Sequence, residues 1–173
     1  VNLKKVSLPS GITAIEKHCF FECSSLKEVV IPEGVTLIDS SSFDDCESLE
    51  SISFPSTLQS LQGAFYGCKK VNEVIIPESV TAIGRFAFEF CSSLANINIP
   101  NGVTVINHGA FFGCTSLKSI TIPKSTTWIS QLFLGCDSLI SIVIEEGNTK
   151  YDSRDNCNAI IHTATNVLWM GSN

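Results

Sequence analysis

The chain has 173 residues, of which 44% are hydrophobic and 16% charged, as in folded rather than disordered proteins. Its net charge of -6, with only 11 Lys and Arg, excludes a surface built to neutralise nucleic-acid phosphates. The sequence contains no apolar run of the ~18 residues that cross a bilayer, and it shows no export signal or anchor. Because it begins partway through a repeat and without Met, we expect a processed or excised piece of a longer chain.

A repeat of 22 or 23 residues organises the sequence, and all six prolines mark it. They are Pro9, Pro32, Pro55, Pro77, Pro100 and Pro123. An alternating apolar pair precedes each proline, as in Ile97 and Ile99 before Pro100. Alternation of β-branched residues predicts a short strand with one buried face, which ends at the proline because proline has no N–H for the ladder. A seventh strand is predicted at Leu139, Ile142 and Ile144.

The second half of each repeat predicts an extended segment followed by a tight turn. Two apolar residues stand three apart after the proline, as at Val103 and Ile106, and this spacing predicts a segment that is extended but bends. A phenylalanine then precedes a cysteine by three residues, as at Phe111 and Cys114, which predicts a helical or 3-10 turn with both side chains inward. The two 22-residue copies lack one residue just before this phenylalanine, outside the strand.

Six of the eight cysteines occupy the same position in successive repeats. They are Cys23, Cys46, Cys68, Cys91, Cys114 and Cys136. Stacked coils would place them in one column with parallel side chains about 4.8 Å apart, whereas a disulfide needs side chains that converge. The sequence has no Cys-x-x-Cys pair to bind a metal. We therefore expect free, buried thiols, with a disulfide as the alternative, and the redox state of Cys19 and Cys157 is left open.

Each repeat carries an apolar wedge that only a neighbouring repeat can bury, so the pattern predicts a stacked solenoid. We expect an α/β-type repeat solenoid: a right-handed coil with a parallel sheet of about seven strands, roughly 30 Å long, and short 3-10 or helical turns outside.

The pattern Leu-x-x-Ile-x-Ile-Pro-x-x-Val-Thr-x-Ile-x-x-x-Ala-Phe-x-x-Cys closely resembles the BspA-like class of leucine-rich repeats. The resemblance covers roughly residues 3–144 and recurs six times, which makes it specific. It implies a curved solenoid whose Leu-x-x-Ile-x-Ile strands line the concave side. It also implies a surface or secreted protein of host-associated bacteria or parasitic protists, with no catalytic residues. Extracellular or cell-surface localisation is therefore expected from the resemblance.

The repeat stops after residue 144. We expect residues 1–144 to form the solenoid and residues 145–173 to form an irregular loop and a β-hairpin. Its predicted strands are 159–162 and 167–170, separated by Thr163-Ala-Thr-Asn166. The hairpin is expected either to cap the last coil or to link it to further repeats.

The sequence offers no arrangement typical of catalysis, and we expect no enzyme, no cofactor and no metal. His18, His108 and His162 lie in non-equivalent places without a paired nucleophile. The acidic residues 39, 44, 45 and 47 lack the ligand spacing of a calcium loop and are interpreted as a solvated outer turn. Residues Asp152, Asp155 and Asn156 have the same ambiguity, and Arg154 beside them favours a salt-bridged loop.

The outward side chains of the predicted strands are the better candidates for a binding site, because a regular sheet presents them in straight columns. The candidate binding residues are Lys5, Lys27, Glu28, Glu50, Ser51, Ser53, Asn72, Glu73, Asn96, Asn98, Lys118, Ser119 and Thr121. This face is polar, weakly charged and without aromatic anchors, and interface hot spots are usually Trp, Tyr or Arg. A solvent-facing sheet that binds nothing is the alternative.

Three hypotheses about function follow. The first is a non-enzymatic adhesion module that engages a protein or glycan of a host or neighbouring cell through the concave sheet, and it rests on analogy of fold. The second is a structural spacer or stalk that presents another domain. The third is an accessory domain of an enzyme, which would need a catalytic partner in the same full-length chain.

Overall fold

The computed structural model describes residues 2–171, which form a parallel β-solenoid of about six turns. Val1 and residues 172–173 of the predicted domains lie outside the described residues. The strands are β1 Ala14–Ile15, β2 Glu28–Val30, β3 Leu37–Ile38, β4 Ser51–Ser53, β5 Ser60–Leu61, β6 Glu73–Ile75, β7 Ala82–Ile83, β8 Asn96–Asn98, β9 Val105–Ile106, β10 Ser119–Ile122, β11 Trp128–Ile129, β12 Ser141–Ile144, β13 Tyr151–Asp152, β14 Ala159–His162 and β15 Val167–Gly171.

Before Pro9 the predicted first strand is only an isolated bridge from Lys5 to Glu28. The other six predicted strands form where the alternating pattern places them, and we call their outward surface the strand face. They pair in parallel as β2 with β4, β6 with β8 and β10 with β12. The predicted continuous sheet is thus divided into three pairs. One 22-residue coil joins β4 to β6 across a division, whereas the other joins β10 to β12, which pair, so the shortened coil does not by itself interrupt the sheet.

The segment after each proline forms the continuous sheet of the molecule. Strands β1, β3, β5, β7, β9 and β11 are two residues long and pair in parallel through all six coils. The sequence predicted an extended segment that bends, and the short strands agree with that. Their continuity was not predicted. It arises because the second residue of each strand, such as Ile83 or Ile106, is buried while the backbone bonds to the coils on both sides.

The outer turns are not the helical turns that the sequence predicted, so the helical part of the fold prediction is not confirmed. Each turn closes single i to i+3 bonds, such as Cys91 N–H to the Phe88 carbonyl at 3.1 Å. The residue before each of the six repeat cysteines then has positive φ, as at Phe90 with 57° and Gly113 with 67°. A residue in this left-handed conformation does not continue a right-handed helix. Its N–H instead donates to the next coil, as the Phe90 N–H does to the Phe112 carbonyl at 2.7 Å.

The only 3-10 helix within residues 2–171 is Arg154–Asn156, after the repeats. No helix in that described part of the chain is long and apolar enough to cross a membrane.

The predicted phenylalanine column is confirmed as a stack of nearly parallel rings in the core. Its members are Phe20, Phe43, Phe65, Phe88, Phe111 and Phe133. Successive ring centroids lie 5.1–6.3 Å apart with interplanar angles of 3–14°. Four of these side chains have 0% exposure, and the end rings Phe20 and Phe133 have 8% and 7%. Stacking the coils therefore completes a core that a single repeat could not form.

The cysteine column is buried beside this stack, and all eight cysteines of the chain are free thiols. The Cys91 Sγ–H donates to the Phe65 carbonyl at 3.2 Å, and four other column thiols make the equivalent bond to the preceding coil. The same carbonyl also accepts the N–H of Cys68. The thiol is thus a small apolar side chain that also supplies a weak donor to a buried carbonyl.

The segment after residue 144 packs on the last coil. The Tyr151 hydroxyl accepts a bond from Ile129 N–H at 3.2 Å, and Asn148 Nδ2 donates to the Pro123 and Thr126 carbonyls at 3.1 and 2.9 Å. Tyr151 and Ile160 belong to the same buried core as the coils. Strands β13, β14 and β15 form an antiparallel sheet in that order. A boundary at residue 144 and a capping role for this segment stay predictions.

Candidate functional site

The strand face presents all thirteen predicted binding residues to solvent. Each of them is exposed, and the observed register agrees with the predicted columns where strands pair. Glu28 lies opposite Ser51, and Glu73 lies opposite Asn96. Lys5 bridges to Glu28 in the same column. The structure therefore places these residues on one surface, whereas their role in binding stays a prediction.

Charge is unevenly distributed along this face. The Lys5 Nζ contacts Glu28 Oε1 at 2.6 Å, and this hydrogen bond lowers the pKa of Glu28 and raises that of Lys5. Both groups are exposed, so the pair contributes little to stability. Glu50 and Glu73 belong to none of the ion pairs of the described residues. The middle of the strand face therefore carries negative charge available to a partner.

Exposed apolar side chains interrupt the polar strand face at two positions. Val30 and Ile75 project outward with 64% and 65% exposure. A depression of about 360 Å³ lies between β4 and β6 and is lined by Glu50, Glu73, Ile75 and the half-buried Phe54, among others. A smaller depression of about 240 Å³ lies over β6, β8 and β10. Phe54 packs edge to face on the core ring Phe65 at 5.8 Å, so only part of its side chain lines the depression.

The prediction that the acidic residues 39, 44, 45 and 47 form a solvated turn is wrong at Asp44, which is buried, whereas Glu47 is exposed. Asp44 is 9% exposed, and its Oδ1 accepts the Tyr66 N–H at 3.0 Å. Burial raises the pKa of this carboxyl, against the opposite effect of bonds from Ser41 and Tyr66. Glu47 is exposed and pairs with Lys69 at 2.7 Å. Within residues 2–171, no group of His, Cys, Asp or Glu is arranged to hold a metal ion.

The remaining titratable groups take structural positions. Burial raises the pKa of the Cys46 thiol to about 12 and that of Cys136 to about 11, so these thiols stay protonated and are poor nucleophiles near neutral pH. Arg154 pairs with Asp152, as predicted, and lowers the pKa of that carboxyl. His162 Nδ1 lies 3.1 Å from Thr165 Oγ1, at the end of a hairpin.

Sequence reasoning missed a groove on the outer side of the coils, which we call the outer groove. It consists of three adjoining depressions of about 670, 300 and 580 Å³. The first and second share Arg85 and Asn107, and the second and third share His108 and Ser130. The groove thus runs along the coils from Asp44 to Trp169.

Aromatic side chains concentrate in and beside this groove. The Phe86 ring lies 5.4 Å from His108 and 6.4 Å from Phe112, and the Arg85 guanidinium lies 5.6 Å above it. Tyr66 lines the groove and meets Phe90 edge to face at 5.5 Å. Trp128 and Trp169 line its other half and are 57% and 48% exposed.

A sequence signal for the groove exists, although it is visible only after alignment of the repeats. Phe86 and Phe90 stand where the next copy has Gly109 and Gly113. All four residues have positive φ, between 56° and 68°. A Cβ on either glycine would overlap the phenylalanine ring of the preceding coil. The second coil has the small or polar residues Ser41 and Asp45 at these positions, also with positive φ. Two phenylalanines here therefore indicate a local departure from the packing pattern.

Comparison with known proteins finds a family whose repeat matches this chain. The model of the BspA type leucine rich repeat region matches six copies over residues 1–63 and 61–164. No curated protein is significantly similar to the chain.

Three solved structures share the fold. A leucine rich cell surface protein from Faecalibacterium prausnitzii is 29% identical with a TM-score of 0.70, over 87% of this chain and 40% of that protein. A T. pallidum leucine rich repeat protein is 29% identical with a TM-score of 0.73, over 81% and 68%. The pneumococcal vaccine antigen PcpA, 21% identical with a TM-score of 0.69 over 92% and 43%, shares the fold alone. The chain thus spans less than half the length of the F. prausnitzii protein.

Proposed function

Because the chain belongs to the BspA-type leucine-rich-repeat family, we propose that it is a non-enzymatic binding module of a surface or secreted bacterial protein. Its ligand is a protein or glycan of a host or neighbouring cell. The description of the F. prausnitzii relative as a cell surface protein supports an extracellular location. The family match supports a repeat module without catalytic residues.

The binding surface in this proposal is the strand face, which the family resemblance makes concave. One observation carries it: exposed apolar, acidic and amide side chains converge at its middle, around Ile75. Ile75 and Phe54 provide apolar area, and Glu50 and Glu73 provide unpaired charge. A protein partner with apolar and basic side chains fits this surface best, since complementary charge steers association while buried apolar anchors supply affinity.

The test compares two triple variants in a pull-down against immobilised extracellular-matrix proteins and glycans. The first changes Glu28, Glu73 and Asn98 on the strand face to Ala. The matched control changes Glu16, Glu78 and Asn101, two glutamates and one asparagine that are exposed elsewhere. Loss of binding in the first variant alone supports the proposal.

Binding that persists in the strand-face variant would contradict the use of this face. A wild-type chain that captures none of the immobilised molecules would favour the second candidate function, a spacer that presents another domain. The regular hydrogen-bonded stack through six coils also suits a spacer.

A further inference from the structure

We propose that the outer groove is a second binding site, for a linear neutral oligosaccharide that lies along the solenoid axis. The site is independent of the strand face and of the function proposed for it. Four features of the groove support this ligand class: its aromatic surfaces, its planar polar side chains, its mixed charge and its length.

Aromatic rings line both halves of the groove. Tyr66 and Phe86 lie in the first half, and Trp128 and Trp169 lie in the second. The ring of a sugar is apolar on its C–H faces, so it packs on exposed aromatic side chains while its hydroxyls stay hydrogen-bonded at the rim. Large apolar surfaces with a few convergent polar groups are typical of small-ligand sites.

Planar polar side chains line the groove between the aromatic pairs. Arg85, Glu89, Asn107 and Gln131 present donors and acceptors in pairs. Asn107 Nδ2 is already bonded to the Ile83 carbonyl at 3.0 Å, which fixes the amide and leaves its Oδ1 for a ligand. Neighbouring hydroxyls of a sugar ring match such paired groups.

The charge of the groove favours a neutral ligand. Arg85 is accompanied by the carboxyls of Asp44 and Glu89, and burial raises the pKa of both. With both signs in one depression, the groove has no single-sign field that would select a phosphate or a polyamine. Hydroxyls can bond to either sign.

The length of the groove fits a chain rather than a single sugar. The groove crosses from the coil of Cys46 to that of Cys136, which is four coil steps, or about 19 Å at the usual strand spacing. Its three depressions adjoin, since each shares lining residues with the next. Several sugar rings in a row can therefore contact the chain.

Titration calorimetry with neutral linear hexasaccharides tests the proposal, using β-linked glucose, β-linked N-acetylglucosamine and β-linked mannose as probes. Binding of at least one hexamer is expected, with weaker binding of the matching monosaccharide. The chain has two tryptophans, Trp128 and Trp169, and both line the groove. The bound hexamer is therefore expected to shift tryptophan emission.

Two variants locate the site. Trp128→Ala removes an exposed ring without opening the core, and about fivefold to tenfold weaker hexamer binding is expected from the removal of one aromatic surface. Ile140→Ala is the control, since Ile140 is a large apolar side chain that is 69% exposed and lines none of the three depressions. Its affinity is expected to stay within twofold of wild type.

Several outcomes would overturn the proposal. The first is that none of the three hexamers binds, and the second is that Trp128→Ala binds as well as wild type. A third is that a lysine hexapeptide binds in the groove and the sugars do not, which would assign the groove to basic peptides. The strand-face triple variant is expected to retain full hexamer binding. A negative result at one proposed site can therefore be distinguished from a negative result at the other.

Discussion

Replacing Phe88 with alanine probes the stacked ring column at its centre. The side chain has 0% exposure and lies between Phe65 at 5.7 Å and Phe111 at 6.1 Å. Removal of a buried phenylalanine costs about 3–5 kcal/mol, and the stacking on two neighbouring rings places this site in the upper part of that range. Hydrogen bonds between coils on either side of the ring prevent collapse of the cavity, as at Phe88 N–H to the Ala110 carbonyl. We expect a decrease of about 4–5 kcal/mol in the free energy of unfolding.

Urea denaturation followed by far-ultraviolet circular dichroism measures this decrease. Phe20→Ala serves as a comparison, because Phe20 is 8% exposed and stacks on Phe43 alone. We expect it to cost about 1–2 kcal/mol less than Phe88→Ala, since it removes one stacking interaction rather than two and the site is open to water. A decrease below about 1 kcal/mol for Phe88→Ala, or equal decreases for the two variants, would refute the account of the core.

Three further predictions follow from single groups. A thiol reagent at pH 8 should modify two cysteines of the native chain, Cys19 and Cys157, and all eight after denaturation, because the six column thiols are buried; rapid modification of more than two would contradict the column. Burial raises the folded-state pKa of Asp44, so protonation of this carboxyl stabilises the folded state. This stabilisation is fully present below the pKa of Asp44 in the unfolded chain and is lost as the pH rises through its pKa in the folded chain. The stability of wild type relative to Asp44→Asn should therefore increase as pH falls from 7 towards 3.5, and a constant difference in denaturation midpoints would refute this. Gly113→Ala should lower the free energy of unfolding by about 2 kcal/mol, because residue 113 has positive φ and the added Cβ would overlap Phe90. In a double-mutant cycle, Phe90→Gly should restore part of this lost stability, and strictly additive effects of the two changes would contradict the contact.

The core was largely predictable because it repeats. Proline positions fixed the ends of the first strands, and the three-residue spacing of Phe and Cys fixed two inward columns, which the structure confirms as buried. The helical turns were expected because that spacing also suits a 3-10 turn. The backbone instead becomes left-handed before each of the six repeat cysteines, as at Phe90 and Gly113, so that its N–H bonds the next coil. Spacing along one repeat carries no information on bonds between repeats.

The candidate sites were predictable to different degrees. The strand face follows from alternation, because outward residues such as Glu73 and Asn96 must line up once the register is known. The outer groove did not follow, since its depressions combine residues that are far apart along the chain, such as Asp44 with Asn107 and His108 with Trp169. Only the stacking of coils brings them together.

The sequence by itself determined the period, the inward residues and the exposed strand positions, because each of these depends on a pattern that the solenoid repeats at every coil. The tertiary structure decided which backbone groups bond between coils, how deeply Asp44 is buried and where aromatic rings meet. These depend on departures from the repeat, such as Phe86 over Gly109. The contacts that such a residue makes depend on the neighbouring coil and not only on its own position in the repeat.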